Sequence, residues 1–217
     1  MRSLKTKKRM STAEINSTFT EIERHQNEIY VLRQNLNNVI PQHTHPQGHI
    51  TVVIDGVATI QAGKHSYYIP YGYFAWVPGG VLHHVSFEVE QIKTLTIYYP
   101  AEEEPEFFKQ IGTYPMHPIM SQTLKEMQES TTTYNAEDWQ YDFLLALKKA
   151  IPHIIQVKNF NLRLPMSDHP VIERIVSRIK AGYSSRLTAE TVASEVGLSV
   201  RTLSRYMRKE LDISFNQ

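Results

Sequence analysis

No cysteine occurs anywhere in the 217 residues, so disulfide staples and thiolate metal ligands are excluded. Also missing is any apolar run near the roughly 18 residues that a membrane-spanning helix needs. The basic start carries Arg2, Lys5, Lys7, Lys8 and Arg9, but no apolar stretch follows it, so it does not read as a secretory signal. Charge of one sign is lacking too: the formal net value is +1, which by itself points to no partner. These absences fit a reducing cytoplasm, where the chain is expected to work. What remains is ordinary globular material, 41% hydrophobic, with a length that suits one large domain or two small ones.

Four stretches differ in pattern. Residues 1–26 read as a basic, flexible lead. Residues 27–100 read as strand after short strand. Ile29 to Leu32, Ile50 to Ile54, Val57 to Ile60, Tyr67 to Ile69, Phe74 to Val77, Val85 to Val89 and Thr94 to Tyr99 are punctuated by Asp55-Gly56, Pro70, Gly72 and Pro78-Gly79-Gly80. Asp55-Gly56 is a hairpin signal, and many short strands with regular turns suggest a sandwich or barrel. After the acidic run Glu102 to Glu106, strand character vanishes and residues 101–160 read as helical. There Met120, Leu124 and Met127 share one helix face, and Trp139, Phe143 and Leu147 form an i, i+4, i+8 row. That row is expected to join two copies into a homodimer, or else to pack on the barrel. The remainder, 161–217, opens with a linker around Leu164 to Pro170, and Pro170 starts a helix that Gly182 ends.

Several histidines cluster in the strand region. His43 and His45 stand two apart, on one face if extended. His49 follows Gly48, and His83 comes after the Pro78-Gly79-Gly80 turn. Imidazoles from adjacent strands can converge on zinc, nickel or a similar divalent ion. Phe74 and Trp76 share a strand face and either line an apolar ligand cavity or belong to the core. His25, His65, His84, His117, His153 and His169 read as surface or packing residues.

The string H-T-H-P-Q-G-H followed by Gly56 resembles the first cupin motif, and G-Y-F-A-W-V-P-G-G-V-L-H from Gly72 to His83 closely resembles the second. The first departs at one point, because His49 stands where that motif usually has glutamate. Phe87 occupies a position that is often asparagine in the second. The resemblance implies a small barrel with a divalent metal held by His43, His45, His49 and His83, or a barrel that has lost its metal and keeps a polar ligand pocket. Ordinary imidazoles would release the metal as pH falls through about 6.5. A metal-dependent enzyme with an appended helical domain is the alternative, weakened by the missing carboxylate.

Near the C-terminal end, Thr188 can cap a helix through Val196, Gly197 permits a left-handed turn, and Ser199 can cap a second helix. Arg201, Arg205, Arg208 and Lys209 lie on that second helix, with no acid between Ser199 and Lys209. This is a helix-turn-helix pattern, whose second helix suits a major groove. The stretch from Leu187 to Leu211 resembles the first helix-turn-helix of the AraC family of transcription regulators, some of which carry a cupin sensor. The fold class expected is therefore α+β: an N-terminal cupin-type barrel, helices, and a C-terminal helix-turn-helix. The resemblance implies duplex DNA and a small-molecule effector as partners. It places Arg201, Ser204 and Arg205 against base edges and Ser199 and Thr202 near phosphate. It also implies a second helix-turn-helix, and the end at Gln217 is read as a truncation before it.

Overall fold

The computed structural model describes residues 11–36, 39–87, 92–127, 131–155, 163–165, 169–181, 187–211 and 214–215. The basic residues of 1–10, Val89, Gly182 and the linker residues 166–168 lie outside these. The chain divides into two compact units, 1–163 and 164–217.

The expected flexible lead is helical from its twelfth residue. Helix α1 (Thr12–Arg24) starts at Ser11, whose hydroxyl accepts from the Glu14 amide while the Glu14 carboxylate accepts from the Ser11 amide. This reciprocal cap satisfies two otherwise orphaned donors. Ile15 and Ile22, two turns apart, are buried. That weak apolar row decides the outcome, because a helix this short is marginal unless one face packs.

Eight strands follow: β1 (Ile29–Leu36), β2 (Ile40–His43), β3 (His49–Asp55), β4 (Val57–Ala62), β5 (His65–Pro70), β6 (Tyr73–Val77), β7 (His83–Phe87) and β8 (Ile92–Tyr98). Strand character does not stop there. β9 (Gly112–Pro115) pairs antiparallel with β6, and β10 (Thr132–Tyr134) with β1. These edge strands are too short to show a two-residue period, so the reading of 101–160 as purely helical missed them. Helices α2 (Pro118–Glu126) and α3 (Trp139–Ile154) complete the unit, with one 3-10 turn at Glu106–Lys109.

One sheet runs β10-β1-β8-β3-β6-β9; the other contains β5-β4-β7-β2. The Asp55-Gly56 turn is a corner rather than a hairpin, since β3 and β4 belong to different sheets. The tight hairpin is β4–β5, with Ala62 opposite His65. Alternation explains the two faces of the larger sheet. Ile50, Val52, Phe74, Trp76, Leu95 and Ile97 form one core with Phe108 and with Met120, Leu124, Leu144, Leu147 and Ile151 of the helices. Val53, Ala75 and Val77 face the other way, into a second core with Ala58, Ile60 and Ile69 of the opposing sheet. Covered on both faces, β6 reads as a continuous apolar run, whereas β3 and β8 carry threonines among their apolar residues.

On α3 the buried row is Leu144, Leu147 and Ile151, whereas Trp139 is 71% and Phe143 41% exposed. An i, i+4, i+8 row drifts about 40° per step around a helix, so Leu147 has turned onto the face that Trp139 does not share.

In the second unit, α4 (Pro170–Ala181), α5 (Ala189–Glu195) and α6 (Val200–Tyr206) enclose Ile172, Ile175, Val192, Ala193, Leu203, Met207 and Leu211. The last two lie in, or at the end of, a wider helical turn, Met207–Leu211. Arg178 on α4 forms a two-pronged ion pair with Glu195 on α5. Among the described residues no helix is long and apolar enough to cross a membrane.

Candidate metal and effector site

β2 and β7 pair so that His43 stands directly opposite His83. The chain leaves β2 through a loop that carries His45 and re-enters the other sheet at His49. A Cβ on Gly79 would sit 2.0 Å from the Pro46 carbonyl oxygen. Only glycine therefore lets the Pro78-Gly79-Gly80 turn lie against that loop, where the Gly80 amide donates to the His45 carbonyl at 2.8 Å. The close approach brings residues far apart in sequence to one end of the barrel.

One ligand atom from each of His43, His45 and His83 can lie within 4.8 Å of the others. His49 is not in that set, but its ring centroid is 4.9 Å from that of His45 and 5.4 Å from that of His83. Second contacts orient the three. The Nδ1 atoms of His43, His45 and His83 each lie 2.8 Å from a carbonyl oxygen, of Pro41, Gln47 and Val81 respectively. A carbonyl only accepts, so each Nδ1 carries the proton and each Nε2 keeps its lone pair, the arrangement typical of metal-ligating imidazoles. The His45 Nε2 and the His49 Nδ1 are buried with no hydrogen-bond partner among the described residues. A buried lone pair without a donor is costly; a divalent cation would satisfy it, so the residues fit such an ion.

The electrostatics agree. Burial, then the neighbouring His83, holds His43 down to about 4 against the upward pull of its bond to Pro41. Burial, then His83 and His43, takes His45 to about 3. Burial lowers His83, and burial with its three neighbours lowers His49 well below the ordinary value. All four are therefore neutral at physiological pH, the form that binds metal.

Phe74 and Trp76 do not line this site. Both are fully buried in the core under α3, and Trp76 donates from Nε1 to the Phe108 carbonyl. Of the two readings of Phe74 and Trp76 the core one holds, and Ala75 and Val77 face the opposing sheet. The cavity beside the histidines is lined by Thr51, Thr94, Thr96, Tyr98, Leu36 and Val85, with Phe19 and Ile22 of α1. Thr51 and Thr96 face each other across the β3–β8 ladder, with their hydroxyl oxygens 3.1 Å apart. Alternating polar residues in H-I-T and T-L-T-I-Y could have revealed this inward row, because every second residue points into the barrel.

The second site expected lies in the other unit. Thr188 caps α5 with Thr191, and Gly197, at φ 73°, closes it. Leu198 donates to the Ala193 carbonyl and Gly197 to that of Ser194, a Schellman stop. Ser199 caps α6 through the Thr202 amide at 3.1 Å, and the hydroxyls of Ser199 and Thr202 are 2.9 Å apart. Leu203 and Met207 are buried, Ser204 is half-buried, and Arg201, Arg205, Arg208 and Lys209 are exposed.

A two-sheet barrel with a histidine cluster at one end, followed by a separate unit of helices, defines the class. The family model described as AraC-like ligand binding domain matches residues 26–137, and the chain belongs to that family. A curated relative, the HTH-type transcriptional regulator NimR of Escherichia coli strain K12, is 26% identical over 177 residues, covering 82% of this chain and 63% of the relative. The chain thus spans less than two thirds of that relative's length. Among solved structures, apo ToxT from Vibrio cholerae is 12% identical with a TM-score of 0.42, covering 87% of this chain and 77% of that one. The EutQ protein of Clostridium difficile is 18% identical with a TM-score of 0.31, covering 35% of this chain and 60% of that one.

Proposed function

We propose that the chain is a ligand-responsive, DNA-binding transcription regulator of the AraC type. In this reading the barrel holds a divalent metal, zinc or nickel or one of similar preference, through His43, His45 and His83, with His49 beside them. The metal would supply a fixed positive charge and Lewis acidity; the imidazoles would hold it, and the Pro41, Gln47 and Val81 carbonyls orient three of them.

Duplex DNA is the partner of α6. The observation that carries this is the division of that helix and of the turn Met207–Leu211 that continues it. Leu203 and Met207 turn inward, while Arg201, Arg205, Arg208 and Lys209 form an exposed row without an acid until Glu210. Arg201, Ser204 and Arg205 meet base edges, and Ser199 and Thr202 lie near phosphate. Similarity to a transcriptional regulator supports the assignment.

A second copy of this chain is the partner proposed for the exposed face of α3. Trp139, Phe143, Ala146 and Ala150 repeat at four-three-four spacing on it, the seam of paired helices. Asp142 and Lys149, both exposed, flank this seam at opposite ends. Antiparallel pairing about Ala146 therefore sets the aspartate of one copy near the lysine of the other.

The DNA reading is tested with duplexes selected from a random pool, titrated in a salt series by fluorescence anisotropy. Each phosphate contact contributes about one unit of log–log salt slope. Arg205→Ala should cost about 1–3 kcal/mol and relax one position of the selected site, whereas Lys209→Ala should weaken binding evenly across sequences. Unchanged affinity and selectivity in Arg205→Ala would sink the reading.

A further inference from the structure

Helix α1 closes the barrel over the histidines. Ile15, Thr18, Phe19 and Ile22, on one face of that helix, line the same cavity as His43, His49 and His83. The Phe19 ring stacks on the His43 imidazole, 4.5 Å between centroids at an interplanar angle of 25°. Gln47, fully buried, donates from Nε2 to the Ile22 carbonyl at 2.6 Å. Its own carbonyl accepts from the His45 Nδ1. The helix is thus tied to the histidine cluster twice: by an aromatic face on one imidazole, and by a side chain whose backbone orients another.

The space left beneath it is small. The cavity measures about 40 Å³, room for a few water molecules, against roughly 300–1,000 Å³ for pockets that enclose organic ligands. Its polar lining, apart from the imidazoles, is the hydroxyls of Thr18, Thr51, Thr94, Thr96 and Tyr98 and the Gln34 amide. Among the described residues no charged side chain lines it to pair with an ionised organic molecule.

We propose that the effector of this barrel is the divalent cation itself, with no more than water-sized co-ligands, and that α1 senses it through Phe19 on His43. This rests on the metal reading of His43, His45 and His83 given above. When the His43 Nε2 lone pair is given to a dication, the imidazole ring takes on positive charge. The Phe19 face against it then gains cation–π attraction that the neutral ring lacks. Ligation also fixes the His43 ring on which Phe19 rests. Both effects favour the seated helix. Linkage is reciprocal: the factor by which metal stabilises the seated helix is the factor by which the seated helix tightens metal. A cation–π contact at a partly buried position corresponds to roughly three- to tenfold.

The experiment uses this chain, with Zn2+ and Co2+ as probes and no organic additive. Calorimetry measures metal affinity, the visible spectrum of Co2+ reports nitrogen ligation, and hydrogen exchange is followed on the peptide spanning Thr12–Arg24. Wild type is compared with Phe19→Leu, which keeps an apolar plug but no π face, and with Gln47→Ala, which cuts the second tie. Expected are one metal per chain, exchange of α1 slowed roughly three- to tenfold by metal, and metal bound weaker by the same factor in Phe19→Leu. In that variant the protection of α1 without metal should stay near wild type, and its response to metal should shrink to what the fixed His43 ring alone supplies. Gln47→Ala should instead speed α1 exchange with and without metal while keeping the response. If metal binds wild type and Phe19→Leu equally and leaves α1 exchange unchanged, the inference is overturned while the metal site stands. Metal that speeds α1 exchange overturns it too. Failure of both ions to bind overturns the metal reading and this inference with it.

Discussion

Lys148→Met separates charge from packing in the seat of α3. The lysine is 2% exposed. Its Nζ lies 2.8 Å from the Oε1 atoms of Glu102 and Glu104, and 5.3 Å, 5.3 Å and 5.5 Å from the ring centroids of Trp76, Tyr99 and Phe108. Methionine keeps most of the stem and removes the ammonium. The Glu102 side chain, 49% exposed, rehydrates easily; that of Glu104, 12% exposed, does not, and the Glu104 Oε2 already lacks a partner among the described residues. Removing one member of a buried pair costs about 3–5 kcal/mol. With one of the two carboxylates half in water, the lower end applies, about 3 kcal/mol. In a unit of this size that lowers Tm by roughly 6–12 °C.

The loss has a pH signature. Burial raises the Glu104 pKa, and Lys148 pulls it back down. Without the lysine it rises further, so the folded variant binds more protons than the unfolded chain above the ordinary carboxylate range. Its stability then falls as pH rises, and the deficit against wild type is largest near neutrality and closes toward acid. Urea unfolding followed by tryptophan fluorescence and far-ultraviolet circular dichroism, at about pH 7.5 and about pH 5, reads both effects. Adding Glu104→Gln should restore most of the loss. A variant as stable as wild type at neutral pH, or a deficit equal at both, would refute the reasoning.

Two more expectations follow from the structure. The barrel imidazoles sit below their ordinary value of 6.5, His43 at about 4 and His45 at about 3. Between those values the native state binds fewer protons than the unfolded chain, so metal-free stability is complete above pH 6.5 and lost as pH falls from there through about 4. Proton competition for the metal shifts down in the same way, below the 6.5 expected from ordinary imidazoles. A flat urea midpoint across that window would count against the buried neutral cluster. At the α3 face, Phe143→Glu should turn the proposed dimer into a monomer in light scattering at micromolar concentration and leave the unfolding midpoint nearly unchanged, since Phe143 is 41% exposed. Leu147, 6% exposed, should instead unfold the unit when made polar. Wild type that is a strict monomer would remove the second copy from the proposal.

Some of this protein was settled by local sequence alone. Turn residues and β-branched runs mark seven of the eight strands from Ile29 to Tyr98, all but the short β2 (Ile40–His43), because a strand and its turn are decided within a few residues. The pair Thr188 and Ser199 around Gly197 marked α5 and α6, because caps and left-handed turns are backbone matters that neighbouring side chains decide. His43, His45, His49 and His83 stood out because their spacing against the glycines followed a known pattern. Other features were set by tertiary structure. The larger sheet is buried on both faces, so composition leaves open which side of β6 meets the cavity, and only the packing places Phe74 and Trp76 in the core. β9 and β10 are strands because a neighbour offers them an open edge. α1 is a helix because the barrel mouth takes Ile15, Phe19 and Ile22; its own period is too short and too polar to announce it. The inward row of Thr51, Thr94 and Thr96 became a pocket wall only when β3 and β8 came into register, since the direction of an alternating strand is set by what lies on each side of it.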